Sequence, residues 1–179
     1  MLKILPLLLL LPFSSYSLAD IEKINNSSFF GLKLLDSDIN KVRQQLWAIG
    51  GFKQANSTKQ KRAIDKFFIS YQVKDSYYLE FRYTNSGKVL SAKRLYKMQS
   101  IHLNNSMKDI TTKELASNLI NTLGQPTKIK HIHGSRPYPT YEWETDKIKI
   151  IIDREGSDFL GKAFVSYVIK TDPYFVAPI

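Results

Sequence analysis

Residues 111–153 show the organisation of this chain most clearly, and they read TTKELASNLINTLGQPTKIKHIHGSRPYPTYEWETDKIKIIID. Thr111 and Glu114 have the spacing of a capping box, in which each side chain bonds the other residue's backbone N–H at the start of a helix. Gly124 and Pro126 then end the predicted helix, because glycine tolerates the left-handed conformation and proline cannot continue it. Between them, apolar residues recur at helical spacing: Leu115, Ala116, Leu119, Ile120 and Leu123.

Two strands are predicted after this helix. Residues 140–144 alternate and place Tyr141 and Trp143 on one face. Residues 147–153 alternate as well. The isoleucines of this second strand that share a face are Ile148, Ile150 and Ile152. A further alternating strand is predicted over residues 162–170. The pattern therefore predicts one helix followed by an antiparallel meander.

A similar layout lies earlier in the chain. With an offset of 74 positions, Ser37 matches Thr111 and Gly50 matches Gly124. Ser37 is therefore the predicted cap of a first helix that ends at Gly50. The predicted buried stripe, with Trp47 at its edge, consists of Ile39, Val42, Leu46 and Ile49. This cap-to-stop correspondence indicates an internal repeat.

Three strands are predicted in the first copy, after a polar and basic loop over residues 53–62. They cover residues 67–73, 77–83 and 88–96, and the short turns between them favour an antiparallel meander. One face of these strands carries Phe68, Tyr78, Glu80 and Arg82. This face is unusually aromatic for a solvated surface, so it is a candidate binding platform.

These observations predict an α+β fold of two tandem helix-then-meander units that form one sheet, with the helices on one face. Each unit is predicted as one helix and three strands. The predicted segments are a signal peptide (1–19), an N-terminal arm (20–35), the first unit (36–97), a linker (98–110), the second unit (111–170) and an apolar tail (171–179).

The first 19 residues are typical of a cleaved secretory signal. They contain one early lysine, a leucine-rich run, and small residues at Ser17 and Ala19 where a signal peptidase reads the chain. The apolar run over residues 4–13 is shorter than the roughly 20 residues that span a bilayer, and no other apolar run follows. We expect a periplasmic or secreted protein with no transmembrane segment after cleavage.

Composition narrows the chemistry of the protein. The chain has no cysteine, which excludes disulfides, a thiolate nucleophile and a thiolate metal site. Its formal net charge is +10, which favours anionic partners. The basic loop has no interleaved aromatic residues and no glycine-rich cradle for phosphate, so nucleic acid is not predicted as a partner. The expected partner is a protein with an acidic surface.

The repeat carries a resemblance to two known groups. Two helix-then-meander units in tandem, each helix ended by glycine, resemble the β-lactamase inhibitor protein architecture. Leu123-Gly124-Gln125-Pro126 followed by Tyr141-Glu142-Trp143 is also similar to the small outer-membrane assembly lipoproteins that share this unit. The lipidated cysteine of those lipoproteins and the cysteines of the inhibitors are absent here. The resemblance implies a binding function on the sheet face.

Two sets of residues could carry other chemistry. His131 and His133 have a spacing compatible with two metal ligands, but no third ligand is evident nearby, and His102 lies in the linker. Glu142 and Glu144 lie on one strand face, at a separation that glycosidase carboxylates also use. Cross-strand pairing with the lysines of residues 147–149 explains these acids more simply. We predict no catalytic residue, metal or cofactor.

The partner-binding residues predicted from the sequence lie on the sheet face and on the loop over residues 134–139. They are Tyr78, Glu80, Arg82, Arg136, Tyr138 and Trp143. The leading hypothesis is a non-catalytic periplasmic binding protein, such as an inhibitor or an immunity protein that occludes a partner enzyme. The alternatives are an envelope or outer-membrane assembly factor and a small glycan hydrolase that uses Glu142 and Glu144.

Overall fold

The structure is a computed structural model that describes residues 18–69, 75–97, 99–101, 106–108, 110–131, 138–155 and 161–170. The predicted signal peptide up to residue 17 and the tail from residue 171 lie outside the described residues. The helices are α1 (Leu18–Asn25), α2 (Ile39–Ile49) and α3 (Thr112–Leu123). The strands are β1 (Ser28–Phe29), β2 (Leu32–Lys33), β3 (Phe52–Gln54), β4 (Ile64–Ile69), β5 (Ser76–Tyr83), β6 (Val89–Tyr96), β7 (Gln99–Ile101), β8 (Ser106–Lys108), β9 (Lys128–His131), β10 (Pro139–Glu144), β11 (Ile148–Glu155) and β12 (Lys162–Ile169).

The principal sheet has eight strands in the order β3-β4-β5-β6-β12-β11-β10-β9, and each neighbouring pair is antiparallel. The predicted α+β class is therefore confirmed. Strands β3 to β6 follow α2, and strands β9 to β12 follow α3. Because β6 pairs with β12, the two meanders meet through their last strands. From either edge of the sheet to its centre, the strands of one unit therefore follow in chain order.

Each unit has four strands, so the prediction of three strands per unit is wrong. Strand β3 lies at the start of the region predicted as a basic loop, and β9 lies in the loop predicted before residue 140. Both are short edge strands, with three and four residues. Edge strands bury little surface, so their polar sequences lack the apolar alternation that reveals an inner strand. The predicted linker also contains the β7–β8 pair.

The helices pack on one face of the sheet and form the hydrophobic core there. From the helices, Val42 and Leu46 of α2 and Leu115, Ala116 and Leu123 of α3 are buried in this core. From the sheet, the core includes Phe67, Leu79, Phe81, Tyr141, Trp143, Ile148, Ile150, Ile152, Val165 and Tyr167. These are the alternating residues of the strands, as a period of two along each strand requires. We call the opposite side of the sheet the open face.

Helices α2 and α3 end in the same way but begin differently. The backbone N–H of Gly50 donates to Leu46 O, and that of Gly124 donates to Ile120 O, so the offset of 74 holds at the C-terminal ends of the two helices. Both glycines have positive φ, 77° and 85°. The capping box of α3 is confirmed, since Thr111 Oγ1 accepts from the backbone N–H of Glu114 at 3.1 Å and the Glu114 carboxylate accepts from the Thr111 N–H.

The start of α2 corrects the prediction. Asp38, not Ser37, is the cap, because its carboxylate accepts hydrogen bonds from two backbone N–H groups of the first turn. Ser37 instead donates its hydroxyl to Lys33 O. The predicted stripe also fails at its end, since Ile49 is 43% exposed and Trp47 is 86% exposed. The helix therefore meets the sheet along a narrower line than its sequence predicts.

The predicted N-terminal arm is part of the hydrophobic core. Residues 20–35 contain most of α1 and the two-stranded β1–β2 pair. Their buried side chains are Ile24, Phe29, Leu32 and Leu34. The Phe29 ring packs edge-on against Phe81 at 5.5 Å and Tyr167 at 5.3 Å between ring centroids. The arm is rich in Asn and Ser, but its few apolar residues are buried in the core.

Candidate binding face

A row of apolar side chains crosses the open face where the two units meet. Phe68 of β4 lies opposite Tyr78 of β5, Tyr78 lies opposite Leu95 of β6, and Leu95 lies opposite Phe164 of β12. We call these four residues the central row. Phe68 is 43% exposed, Leu95 is buried, and the rings of Tyr78 and Phe164 are half-buried. The row therefore presents three partly exposed aromatic rings next to the buried side chain of Leu95.

Lysine side chains lie over the rings of this region. Lys66 Nζ is 3.7 Å from the centroid of the Tyr78 ring, and Lys93 Nζ is 4.2 Å from that of Phe164. Lys162 Nζ lies 4.1 Å from the ring of Tyr77, next to the row. Ammonium groups are attracted to the negative face of an aromatic ring. The open face therefore combines aromatic surface with positive charge held close to it.

Glu155 connects strands that are not neighbours. Its carboxylate accepts a hydrogen bond from the Tyr78 hydroxyl at 3.2 Å and forms an ion pair with Lys93. Burial, together with the negative charge of Glu155, raises the pKa of the Tyr78 phenol above its ordinary value. The phenol consequently stays a neutral donor at physiological pH, and these contacts hold its ring in place across the seam between the units.

The structure brings together three of the residues predicted to bind a partner. Tyr78, Glu80 and Arg82 alternate along β5 and all lie on the open face. Arg82 Nε is 3.2 Å from Glu80 Oε1, and the arginine side chain remains 41% exposed. Their grouping follows directly from strand periodicity, which is why the sequence could predict it.

The other three predicted residues do not join this group. Trp143 is fully buried on the helix side, where its Nε1–H donates to Gly124 O at 2.9 Å, so its assignment as a contact residue is wrong. Tyr138 is half-buried, and its ring lies 5.5 Å from the Arg154 guanidinium. Arg136 lies outside the described residues. The tryptophan was misassigned because the sequence does not show which strand face the helix covers.

Sequence reasoning missed the lysines and Phe164 as members of the site. Lys66, Lys93 and Phe164 reach the open face only because β4, β5, β6 and β12 are neighbours in a particular register. The alternation of Lys93 and Phe164 within their strands was visible in the sequence, whereas Lys66 precedes the strand predicted over residues 67–73 and belongs to β4. The pairing of β6 with β12, which places Phe164 beside Leu95, had no local signal.

The two glutamates that resemble a glycosidase pair are engaged by lysines. Glu142 is 4% exposed and forms ion pairs with Lys130 and, at 3.0 Å, with Lys149. Glu144 pairs with Lys170 at 2.9 Å and with Lys149 at 3.5 Å. The predicted cross-strand charge pairing is therefore confirmed for Lys149.

The pKa values of these glutamates do not fit general acid catalysis. Burial raises the pKa of Glu142, but the hydrogen bonds and charges of Lys130 and Lys149 outweigh burial, so the pKa lies below its ordinary value. The hydrogen bond from Lys170 lowers the pKa of Glu144. A glycosidase general acid needs a raised pKa to hold its proton near neutral pH. This pair therefore gives no support to the glycan hydrolase hypothesis.

Neither a metal site nor a membrane span is found among the described residues. Within the part of the chain that the structure describes, no cluster of three or more His, Asp or Glu side chains could hold a metal ion. His131 ends β9, whereas His133 and His102 lie outside the described residues. Of the described helices, none is long and apolar enough to cross a bilayer.

Comparison with known proteins identifies no family for this chain. No family model and no curated protein matches this chain. The crystal structure of a DUF4309 family protein, YjgB from Bacillus subtilis subsp. subtilis str. 168, is similar with a TM-score of 0.40 and 10% identity, over 83% of this chain and 90% of that chain. This similarity is too low to indicate a function for this chain.

Proposed function

We propose that this protein is an exported, non-catalytic binding protein that holds an acidic protein partner on the open face of its sheet. The central row carries this proposal, because it places partly exposed rings and stacked lysines together at the seam of the two units. Interfaces concentrate their binding energy in aromatic and cationic residues near the centre of the contact. The partner would therefore place acidic side chains around an apolar patch.

The charges of the open face support an acidic partner. Lys66 and Lys162 lie on aromatic rings, and neither has a carboxylate within ion-pair distance among the described residues. Lys128 and Lys53 add further positive charge along the outer strands of the same face, opposite Glu142 and Phe68. Complementary charge speeds association and favours a correctly oriented partner.

The mechanism that fits these residues is occlusion. The sheet offers a preorganised surface, because the Tyr78 ring is held by its hydrogen bond to Glu155 and by the contact with Lys66 before any partner arrives. Rigid contact residues lose little entropy on binding. Tyr78 and Arg82 would then cover an acidic cleft of the partner, as an inhibitor or an immunity protein does. An outer-membrane assembly factor would use the same face on a barrel protein.

Charge reversal on the open face tests the proposal. The partner is first isolated from envelope extract with the wild-type protein, and its affinity is then measured by calorimetry with purified components. We expect Lys66→Glu and Lys162→Glu each to weaken binding by about tenfold or more, as close charge pairs at interfaces do. The control is Lys113→Glu, because Lys113 is exposed on α3, on the other side of the sheet.

The affinities separate the possible outcomes. Weak binding by the two open-face variants, with the control unchanged, supports the proposal. If all variants bind the isolated partner as tightly as the wild type, the open face is not the interface and the proposal is wrong. A soluble enzyme as the partner would support occlusion, whereas an outer-membrane barrel protein would support the assembly role.

A further inference from the structure

We infer a second binding site, in a cavity on the helix side of the sheet, that takes a small molecule with an apolar body and a single carboxylate. The cavity has a volume of about 320 Å³ and lies between α3, the β1–β2 pair and the two central strands. Its walls include Phe30, Arg94, Tyr96, Leu119, Val165 and Tyr167. It shares no residue with the open face, so it does not depend on the function proposed above.

The cavity exists because the N-terminal arm covers the seam only in part. Its floor is made by β6 and β12, where Arg94 lies directly opposite Val165. The ring of Phe29 packs on Phe81 and Tyr167 and closes the deep part of the seam. The space between Phe29 and α3 stays open. Ligand sites are frequent where two structural units meet, and their volumes start at roughly 300 Å³.

Arg94 is the polar group that gives this cavity its chemistry. Its Nε donates to Ser76 Oγ and its Nη2 donates to Asp75 Oδ1, both at 2.7 Å. Its guanidinium also lies between two rings, 5.0 Å from the centroid of Phe30 and 4.4 Å from that of Tyr96. A guanidinium has five N–H donors, and Ser76, Asp75 and the Tyr96 hydroxyl together engage at most three of them. The group is therefore fixed in position and retains donors for a ligand.

The class of ligand follows from these walls. Seven of the ten residues that line the cavity have aromatic or aliphatic side chains, which favours an apolar body. The planar guanidinium favours a carboxylate, because its paired N–H groups match two carboxylate oxygens. Burial raises the pKa of the Tyr96 and Tyr167 phenols, so neither adds a negative charge at neutral pH. Among the residues that line the cavity, Arg94 alone is charged and Asp75 shares its charge, so a second carboxylate on the ligand would have no cation to pair with.

The test uses 2-naphthoate as the probe and 2-naphthalenemethanol as its neutral counterpart. Binding is measured with the purified protein by calorimetry, and the site is located by amide shifts in NMR. We expect 2-naphthoate to shift the amides of Phe30, Asn118 and Leu119. We expect the neutral compound to bind about tenfold more weakly, since hydrogen bonds to charged groups contribute more than neutral ones.

Two exposed asparagines of α3 provide a matched pair of variants. Asn118 lines the cavity, whereas Asn121 lies on the same helix and does not. Asn118→Trp should close the cavity and reduce 2-naphthoate binding by about tenfold or more, while Asn121→Trp should leave binding unchanged. Thermal unfolding of both variants, monitored by circular dichroism, checks that each is folded.

Arg94→Lys tests the role of the guanidinium. The lysine keeps the charge but loses the paired donors, so it should weaken 2-naphthoate and leave 2-naphthalenemethanol unchanged. Three results would each overturn the inference. They are no binding at millimolar 2-naphthoate, equal binding of the two probes, and equal effects of the two asparagine variants.

Discussion

The two units differ in where they bury a carboxylate. The first unit buries Asp65 on the helix side of the sheet, whereas the second buries Glu142 on the open face. In the first unit, Asp65 is 0% exposed and accepts from Arg43 through two contacts of 2.8 Å. Gln54 and the Tyr83 hydroxyl donate to the same carboxylate, at 2.5 Å and 3.1 Å. This hydrogen bonding raises the pKa of the Arg43 guanidinium and links α2 to three strands.

The second unit has no such group beneath its helix in the described part of the chain. Its core there is apolar, with Trp143 fully buried beside the isoleucines of β11. Helix α3 buries Leu115, Ala116 and Leu123, whereas the buried apolar residues of α2 are Val42 and Leu46. The two units have the same order of strands, but their helices are attached to the sheet in different ways. A helix with few apolar contacts is held by directional bonds, and one with more is held by packing.

The strongest effect is expected from opening the apolar core of the second unit. Trp143→Ala should destabilise the protein by about 4 kcal/mol, because it leaves a cavity where a fully buried indole packs. Trp47→Ala is the matched control in the first unit, and it should change stability little because that side chain is 86% exposed. Urea unfolding followed by circular dichroism measures both. Similar losses from the two substitutions would contradict the assigned positions of the indoles.

The next effect concerns the polar anchor of the first unit. Asp65→Ala should cost about 3 kcal/mol, because it leaves the partly buried Arg43 without its partner. Glu142→Ala is the comparison in the second unit. Its partner Lys149 keeps an ion pair with Glu144 at 3.5 Å, and Lys130 is 41% exposed, so the cost should be smaller. Equal costs by urea unfolding would show that the two carboxylates play equivalent structural roles.

Helix caps provide a finer comparison between the units. Asp38→Ala and Thr111→Ala should each cost about 1 kcal/mol, because each removes a side chain that accepts from backbone N–H groups. Thermal unfolding of both variants measures this loss. Ser37→Ala is the control, because Ser37 is the residue that the sequence predicted as the cap. It should cost less than Asp38→Ala, since Ser37 does not cap the helix. A larger loss for Ser37→Ala than for Asp38→Ala would restore the original prediction.

The smallest effect is the pH dependence that comes from Glu142. The pKa of this carboxyl is below its ordinary 4.5 in the folded protein, so its contribution to stability is present above that pH. The contribution is lost as the pH falls through the lower, folded pKa. Glu142→Gln should therefore be less stable than the wild type at neutral pH, and the difference should shrink in acid.

Urea unfolding at neutral pH and at about pH 3 measures this difference, since protonation of carboxyl groups dominates the acid limb. Lys113→Gln serves as a control, because Lys113 is exposed and distant from the open face. A stability difference between the Glu142→Gln variant and the wild type that grows in acid would have the wrong sign and would contradict the assignment.

Some parts of the fold were predictable because their signals are local. Thr111 and Glu114 are three positions apart, and Gly124 directly follows the last helical turn, so neighbouring residues specify both ends of α3. The grouping of Tyr78 and Arg82 was predictable for the same reason, because strand alternation fixes their common face.

Other parts were not predictable because their contacts join distant positions. Tyr78 bonds Glu155 across 77 positions, and Arg43 reaches Asp65 across 22. The sequence also could not show that Trp143 faces a helix, since alternation separates two faces without saying which one is covered. The central row and the Arg94 cavity both depend on the pairing of β6 with β12.

Local sequence alone was sufficient to specify the class of the fold, the start and end of α3, and the alternation of the inner strands. These features depend on hydrogen bonds and side-chain spacing within a few residues, which each segment carries wherever it lies. The strand order, the packing of the N-terminal arm, and the positions of Phe164 and Arg94 were set by the tertiary structure. Those features depend on how apolar surfaces from separate segments bury one another. The free energy of that burial is gained only when the sheet and helices pack together, so no single segment specifies it.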